Sequence, residues 1–92
     1  MSDKICVGDV VLSLAGRDKG SYLLVVSVNG GRVSLSDGKL RKTIKPKQKN
    51  VKHVKKVSTV NKEFAEHIKS GKPTSNQRLK RVLKSETEKI GG

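Results

Sequence analysis

The sequence predicts a mainly β domain of about five antiparallel strands, followed by a short helical C-terminal appendage. Three observations support this prediction. Residues 8–57 contain short runs rich in Val, Leu and Ile that end at Gly, Asp, Asn or Pro, the pattern of strands and turns. Residues 58–92 carry apolar side chains at helical spacing. A chain of 92 residues is one small domain at most, with parts at 1–57 and 58–92.

Four strands can be placed by the residues that break them. The expected strands cover residues 8–14, 22–28, 32–36 and 40–45. Asn29-Gly30-Gly31 separates the second from the third, Asp37-Gly38 turns the third into the fourth, and Pro46 ends the fourth because it lacks a backbone donor. Successive loops of a meander alternate ends, so residues 16–20 and the Asp37-Gly38 turn should lie on the same rim.

The second strand is apolar on both faces. Leu24 and Val26 lie on one face and Leu23 and Val25 on the other. Such a strand suits a sheet that curls on itself or is covered by another segment. We therefore expect residues 51–57 to close a barrel as a fifth strand, or the C-terminal helices to pack over the sheet.

The helical appendage has recognisable starts and stops. Asn61 can cap a first helix whose apolar face holds Phe64, Ala65 and Ile68, and the Gly71 and Pro73 pair marks its end. Thr74 or Ser75 can cap a second helix. Its apolar stripe is Leu79, Val82 and Leu83. Both stripes are expected to pack against the sheet.

The glycine-bounded segment between the first two strands resembles a known motif. The motif residues are Gly8, Val10, Val11, Gly16, Lys19 and Gly20, with hydrophobic residues up to Val28. This order resembles the KOW motif of ribosomal proteins and NusG-type transcription factors. With the stretch 32–42, residues 8–54 are similar to small bacterial KOW-containing RNA-binding proteins related to large-subunit ribosomal proteins of archaea and eukaryotes. The resemblance implies an SH3-like five-stranded barrel that binds structured RNA, ribosomal RNA above all.

Charge is distributed unevenly along a chain whose net charge is +13. Residues 39–60 hold nine Lys or Arg and no acid. This segment could be a solvated strand face or a basic linker, but its self-repulsion favours a polyanionic partner. A membrane is the weaker candidate, because Val51, Val54 and Val57 form a thin stripe without large apolar side chains. RNA remains the favoured partner.

We therefore expect phosphates to be held by the glycine-bounded loop and by the basic segment. Loop cations should fix the register of the RNA, whereas Lys47 and Lys49 should act as diffuse charge. The candidate RNA-binding residues are Gly16, Arg17, Lys19, Gly20, Lys39, Arg41, Lys42, Lys45, Lys47, Lys49, Lys52 and His53.

No catalytic or metal-binding pattern stands out, so the expectation is a non-catalytic protein without cofactors. Cys6 lies beside Ile5 and Val7 and is expected to be a small buried hydrophobe. Neither a signal peptide nor a transmembrane run is recognisable, which predicts a cytoplasmic protein, taken as a monomer. Two other functions stay open: an adaptor that docks on the transcription or translation machinery through its helical tail, and a non-specific DNA binder.

Overall fold

The fold is a five-stranded antiparallel sheet with two helices packed on one face. The computed structural model describes residues 4–37, 47–70 and 75–90. The strands are β1 Asp9–Ser13, β2 Tyr22–Asn29, β3 Arg32–Ser36, β4 Lys47–Asn50 and β5 Val54–Thr59, and the helices are α1 Lys62–Lys69 and α2 Asn76–Ile90. A three-residue 3-10 helix, Val51–His53, joins β4 to β5.

Strands β1, β2 and β3 confirm the predicted positions to within about a residue at each end. The fourth strand, predicted at residues 40–45, falls outside the described residues. The fourth described strand is β4 at 47–50, where the sequence Lys-Gln-Lys-Asn has little intrinsic preference for a strand. The fifth strand was predicted to start at residue 51, three residues before the observed start of β5 at Val54. Residues 51–53 form the 3-10 helix.

The strand order is β4-β3-β2-β1-β5, with every ladder antiparallel. Val11 pairs with Leu23, and Val28 pairs with Val33. The register shifts once between β1 and β5 and once between β2 and β3. Such irregularities increase the local twist and bend of a strand, which helps a sheet to curl.

The curl follows from the connection between the two edge strands. The chain passes from Asn50 to Val54 through the 3-10 helix, which advances only about 2 Å per residue and so covers about 8 Å. The edges of a flat five-stranded sheet would lie about 19 Å apart at a strand spacing of about 4.8 Å. A flat sheet is therefore incompatible with this connection.

The closed barrel expected from the sequence is not present. Among the described residues no ladder joins β4 to β5, and the sheet stays open. The physical reason lies in the edges: β4 has only four residues, and the chain leaves it directly into a 3-10 helix. Little backbone is left on β4 to form a ladder with β5. The antiparallel five-stranded architecture with its helical appendage is confirmed.

Two hydrophobic cores lie on the two faces of the sheet. The inner core fills the curl and contains Ile5, Val11, Leu23, Val25, Val33, Leu35 and Val54. The outer core joins the sheet to the helices and contains Val10, Leu24, Val60, Phe64, Ala65, Ile68, Leu79 and Leu83. Each large buried apolar side chain contributes about 1.5–3 kcal/mol. The double-sided apolar pattern of β2 is thereby explained, and the predicted packing of both helices is confirmed.

The helices are held at defined positions by polar contacts as well. Asn61 Oδ1 accepts a hydrogen bond from Phe64 N at 2.8 Å, which confirms the predicted cap of α1. In α2, Glu86 Oε1 accepts a hydrogen bond from Ser58 Oγ of β5 at 2.6 Å. That bond outweighs the cost of burial and lowers the pKa of Glu86. Helix α2 is therefore tied to the sheet edge near its C-terminal end.

Cys6 differs from its sequence-based prediction. Its side chain is exposed, and its Sγ lies 3.9 Å from the carbonyl oxygen of Lys4. Its backbone N–H donates to Asp9 Oδ2 at 2.7 Å, so this segment is held by a main-chain contact. Ile5, the preceding residue, enters the inner core in its place.

Candidate nucleic-acid interface

The loop between β1 and β2, residues 14–21, has a backbone fixed by its own hydrogen bonds. Ser13 N donates to Ser21 O and Gly20 N donates to Ser13 O, each at 2.9 Å. Inside the loop, Ser21 N donates to Asp18 O at 2.9 Å and Lys19 N to Gly16 O at 3.2 Å. Gly16 and Gly20 have φ of 83° and 88°, a region that side chains disfavour. The loop therefore has one well-defined shape.

A buried lysine fixes the loop from the far edge of the sheet. Lys49 of β4 is only 8% exposed, and its Nζ donates to Asp18 Oδ1 at 2.6 Å, Ser13 Oγ at 2.7 Å and Ala15 O at 2.6 Å. An ammonium group has three N–H donors, so all three are used. We call Ser13, Asp18 and Lys49 the loop anchor.

The loop anchor also carries a second cation. Lys47 Nζ lies 3.3 Å from Asp18 Oδ2 as an ion pair. Burial alone would raise the pKa of Asp18, but hydrogen bonds from Lys49 and Ser13 to Oδ1, together with the nearby charges of Lys47 and Lys49, lower that pKa to about 2. Asp18 is therefore ionised at neutral pH and is the acceptor that gathers both lysines.

These contacts close the curl of the sheet where the backbone does not. Strands β4 and β1 are separated in the sheet by β3 and β2, yet Lys49 of β4 contacts Ser13 of β1. The 3-10 helix is held beside the end of β1 by a backbone bond, in which Leu14 N donates to His53 O at 2.9 Å. The side-chain bonds of Lys49 thus connect the two sides of the curled sheet, which no backbone ladder joins in the described residues.

Two cations flank the anchored carboxylate in the sequence. Arg17 and Lys19 precede and follow Asp18, and both are exposed. Because Asp18 reaches inward to Lys49, its two neighbours are left at the loop surface. Within the described part of the chain neither has a carboxylate within ion-pair distance. The anchor therefore presents two unpaired positive charges in a fixed turn.

The 3-10 helix adds two further basic side chains at the same end of the sheet. Lys52 and His53 are exposed, and Val54, the residue after them, pairs with Ser13 at the end of β1. Asn50 Oδ1 accepts from Lys52 N at 2.9 Å and fixes the start of this turn. The loop end of the sheet, defined as Arg17, Lys19, Lys52 and His53, is thus a positively charged surface.

The predicted site residues fall into three groups. Gly16, Arg17, Lys19 and Gly20 form the loop, and Lys52 and His53 lie at the same sheet end. Lys47 and Lys49 are turned toward Asp18, so Lys49 has an internal position instead of contributing diffuse surface charge. Positions Lys39, Arg41, Lys42 and Lys45 lie outside the described residues.

The sequence did contain a signal for the loop anchor. Lys47 and Lys49 are two residues apart, so they lie on one face of a strand. Asp18 is the one carboxylate in a loop with two cations and is the natural acceptor for such a pair. What the sequence lacked was any sign that residues 47–50 form a strand.

The comparisons with known proteins add no family to this picture. No protein-family model matches the chain, and no curated protein matches it significantly. Across the described ranges, neither helix is long and apolar enough to cross a membrane. The KOW resemblance therefore depends on the loop and strand residues alone.

Proposed function

We propose that the protein is a non-catalytic RNA-binding module that holds the phosphate backbone of structured RNA at the loop end of its sheet. The observation that carries this proposal is the inward position of Asp18, which leaves Arg17 and Lys19 exposed on a fixed turn. Lys52 and His53 extend the same surface. A net charge of +13 supplies the long-range attraction to a polyanion.

The fixed loop lowers the cost of binding. Ordering a flexible, rotamer-rich segment at an interface costs free energy that an already ordered segment does not lose again. Gly20 supports close approach, because a side chain placed there would meet no atom within 4 Å. A sugar-phosphate backbone can therefore reach the loop main chain beside Lys19.

Structured RNA is the preferred polyanion for two reasons. The order of glycines and lysines resembles that of KOW proteins, and this resemblance supports ribosomal RNA, a cytoplasmic location and a role close to translation. A rigid cationic turn also suits the recognition of backbone shape, which is how proteins bind most of double-stranded RNA. The interaction would thus be set mainly by phosphate positions.

The first test is the salt dependence of binding to a labelled RNA hairpin, measured by fluorescence anisotropy. If five to eight phosphates are neutralised, log K should fall against log salt with a slope of roughly −4 to −7. Duplex DNA of the same sequence is the competitor in the same titration. A slope near zero, or DNA bound as tightly as RNA, would contradict the proposal.

The second test separates the loop from general charge. Lys19→Ala should weaken RNA binding about fivefold, or about 1 kcal/mol, and reduce the salt slope by about one. Lys62→Ala is the matched control, because Lys62 is an exposed lysine on α1 away from the loop. Circular dichroism checks that both variants keep the fold. Equal losses for the two variants would mean that the loop has no special role.

A further inference from the structure

A groove runs between the end of the β1–β2 loop and helix α2. Gly20, Ser21 and Tyr22 form one side, Asp37 lies at the end of β3, and α2 forms the other side. The volume is about 660 Å³, within the range of about 300–1,000 Å³ that small-ligand pockets occupy. Asp37 and the loop lie on the same rim, as the meander predicted. The groove begins where the cationic turn ends.

Helix α2 presents a basic stripe to this groove. The polar lining residues of α2 follow helical spacing, which places them on one face: Gln77, Lys80, Arg81, Lys84 and Thr87. Buried Leu79 and Leu83 and the Glu86 bond to Ser58 fix the helix in this rotation. Among the residues that the structure describes, no carboxylate pairs with the three cations. The stripe can therefore receive an anion.

Tyr22 contributes an aromatic ring to the wall of the groove. This side chain is half-buried and packs against the outer core, so its position is fixed. Aromatic rings at the edge of basic grooves stack on unpaired bases irrespective of sequence. Ser21, Gln77 and Thr87 add neutral hydrogen-bonding groups around it. A purely phosphate-binding surface would need neither a ring nor a cavity.

We propose that this groove binds one unpaired nucleotide of the RNA, with its phosphate on Lys80, Arg81 and Lys84 and its base against Tyr22. The inference rests on the proposed function, because the adjacent loop would hold the paired stem. Arg17 and Lys19 lead along the chain into Gly20–Tyr22, so an RNA strand that follows the loop reaches the groove next. A bulge or a strand end beside a duplex fits this arrangement.

The main test compares two RNA hairpins that share one stem, one fully paired and one with a single-nucleotide bulge. The bulged hairpin should bind about fivefold or more tightly, the lower end of what one stacked base contributes. Tyr22→Phe should keep this ratio and Tyr22→Leu should bring it close to one. Binding of the paired hairpin tests the proposed function, and the ratio tests the groove. If the protein bound the paired and the bulged hairpin equally tightly, the nucleotide-binding role of the groove would be overturned, whereas the proposed RNA-binding function would still stand.

A second measurement leaves Tyr22 unchanged, so it does not depend on how a substitution there affects folding. Uridine 5′-monophosphate, titrated into labelled protein, should shift the backbone amide signals of Gly20–Tyr22 and of α2, and inorganic phosphate should do so more weakly. Arg81→Ala should weaken the mononucleotide several-fold, while Lys62→Ala should not, since Lys62 is exposed and outside the groove. The inference is overturned if phosphate alone binds as tightly as the mononucleotide, or if the shifts centre on Gly30 and Gly31.

Discussion

The two turns at the ends of β2 are built in different ways. The β2–β3 turn is short and exposed: Asn29 pairs with Arg32, and the neighbouring contact is a backbone bond from Val51 N to Gly31 O at 2.9 Å. The β1–β2 loop is longer and is tied by side chains to β4, three strands away in the sheet order. The β2–β3 turn takes its shape from the backbone alone, whereas the β1–β2 loop adds a buried ion pair to its backbone bonds.

The difference shows what it takes to present charge from a loop. Arg17 and Lys19 would repel each other and leave a free loop in many conformations, whereas Asp18 between them is held by Lys49 and Lys47. These contacts hold the carboxylate inward and thereby fix the direction in which the two flanking cations project. The β2–β3 turn projects no such charge and needs no anchor.

The largest expected effect comes from removing the buried lysine. Lys49→Met keeps the length of the side chain but leaves Asp18 without its main partner, so the free energy of unfolding should fall by about 2–4 kcal/mol. Hydrogen exchange should speed up at the loop amides of Lys19 and Gly20 and stay unchanged at Gly31. Urea unfolding measures the stability.

The matched control for that change is Gln48→Ala, an exposed neighbour on the same strand. This variant should stay within about 0.5 kcal/mol of the parent protein. If Lys49→Met were equally mild, the loop anchor would be a surface ion pair of little consequence, and the contrast between the two turns would disappear.

The second largest effect is expected from acid, which should remove the stabilisation that ionised Asp18 contributes. The pKa of Asp18 is lowered from 3.8 to about 2, so its stabilisation is complete above about pH 5 and is lost as pH falls through about 4 towards 2. The loss amounts to about 2 kcal/mol, since one pKa unit corresponds to about 1.4 kcal/mol. Urea unfolding of the parent protein and of Asp18→Asn between about pH 6 and pH 2 measures it. Because Glu86 titrates in both proteins, the difference between them isolates Asp18. A difference that did not shrink in acid would contradict the assignment.

The smallest expected effect comes from replacing one glycine in each of the two turns by alanine. Gly16→Ala should cost about 1–2 kcal/mol, because φ is 83° there and the added Cβ would make only ordinary contacts, 3.5 Å from Lys49 Nζ. Gly31→Ala should be neutral or slightly stabilising, since Gly31 lies outside the left-handed region and its Cβ would meet nothing. Thermal unfolding of the two variants measures the difference, and equal melting temperatures would show that the backbone at Gly16 accepts a side chain without strain.

Local patterns were sufficient for the elements that bury apolar side chains. Strands β1 to β3 and both helices follow from period-two and helical spacing, and even the double-sided burial of β2 could be anticipated from Leu23 and Leu24. These features depend on neighbours in the sequence. They are therefore readable without knowledge of the tertiary fold.

The charges of the loop anchor were visible in the sequence, but their pairing could not be predicted because it joins partners distant in sequence. Lys49 and Asp18 are separated by 31 positions, and a lysine in a basic run is ordinarily solvated. Residues 47–50 lack the branched and aromatic types that mark strands, so nothing placed them beside β3. The basic stripe of α2 was not singled out from the sequence either, because its position opposite Tyr22 exists only in the folded chain.

Within the described ranges, the open sheet leaves two strand edges without a partner ladder, and such edges can pair with another copy of the chain. On β5 this edge carries exposed Lys55, whose charge opposes the approach of the same edge of a second copy. The cations that attract a polyanion thus also keep the unbound molecules apart. Colloidal stability should therefore be lowest when added polyanion just neutralises the protein, and should return when either component is in excess.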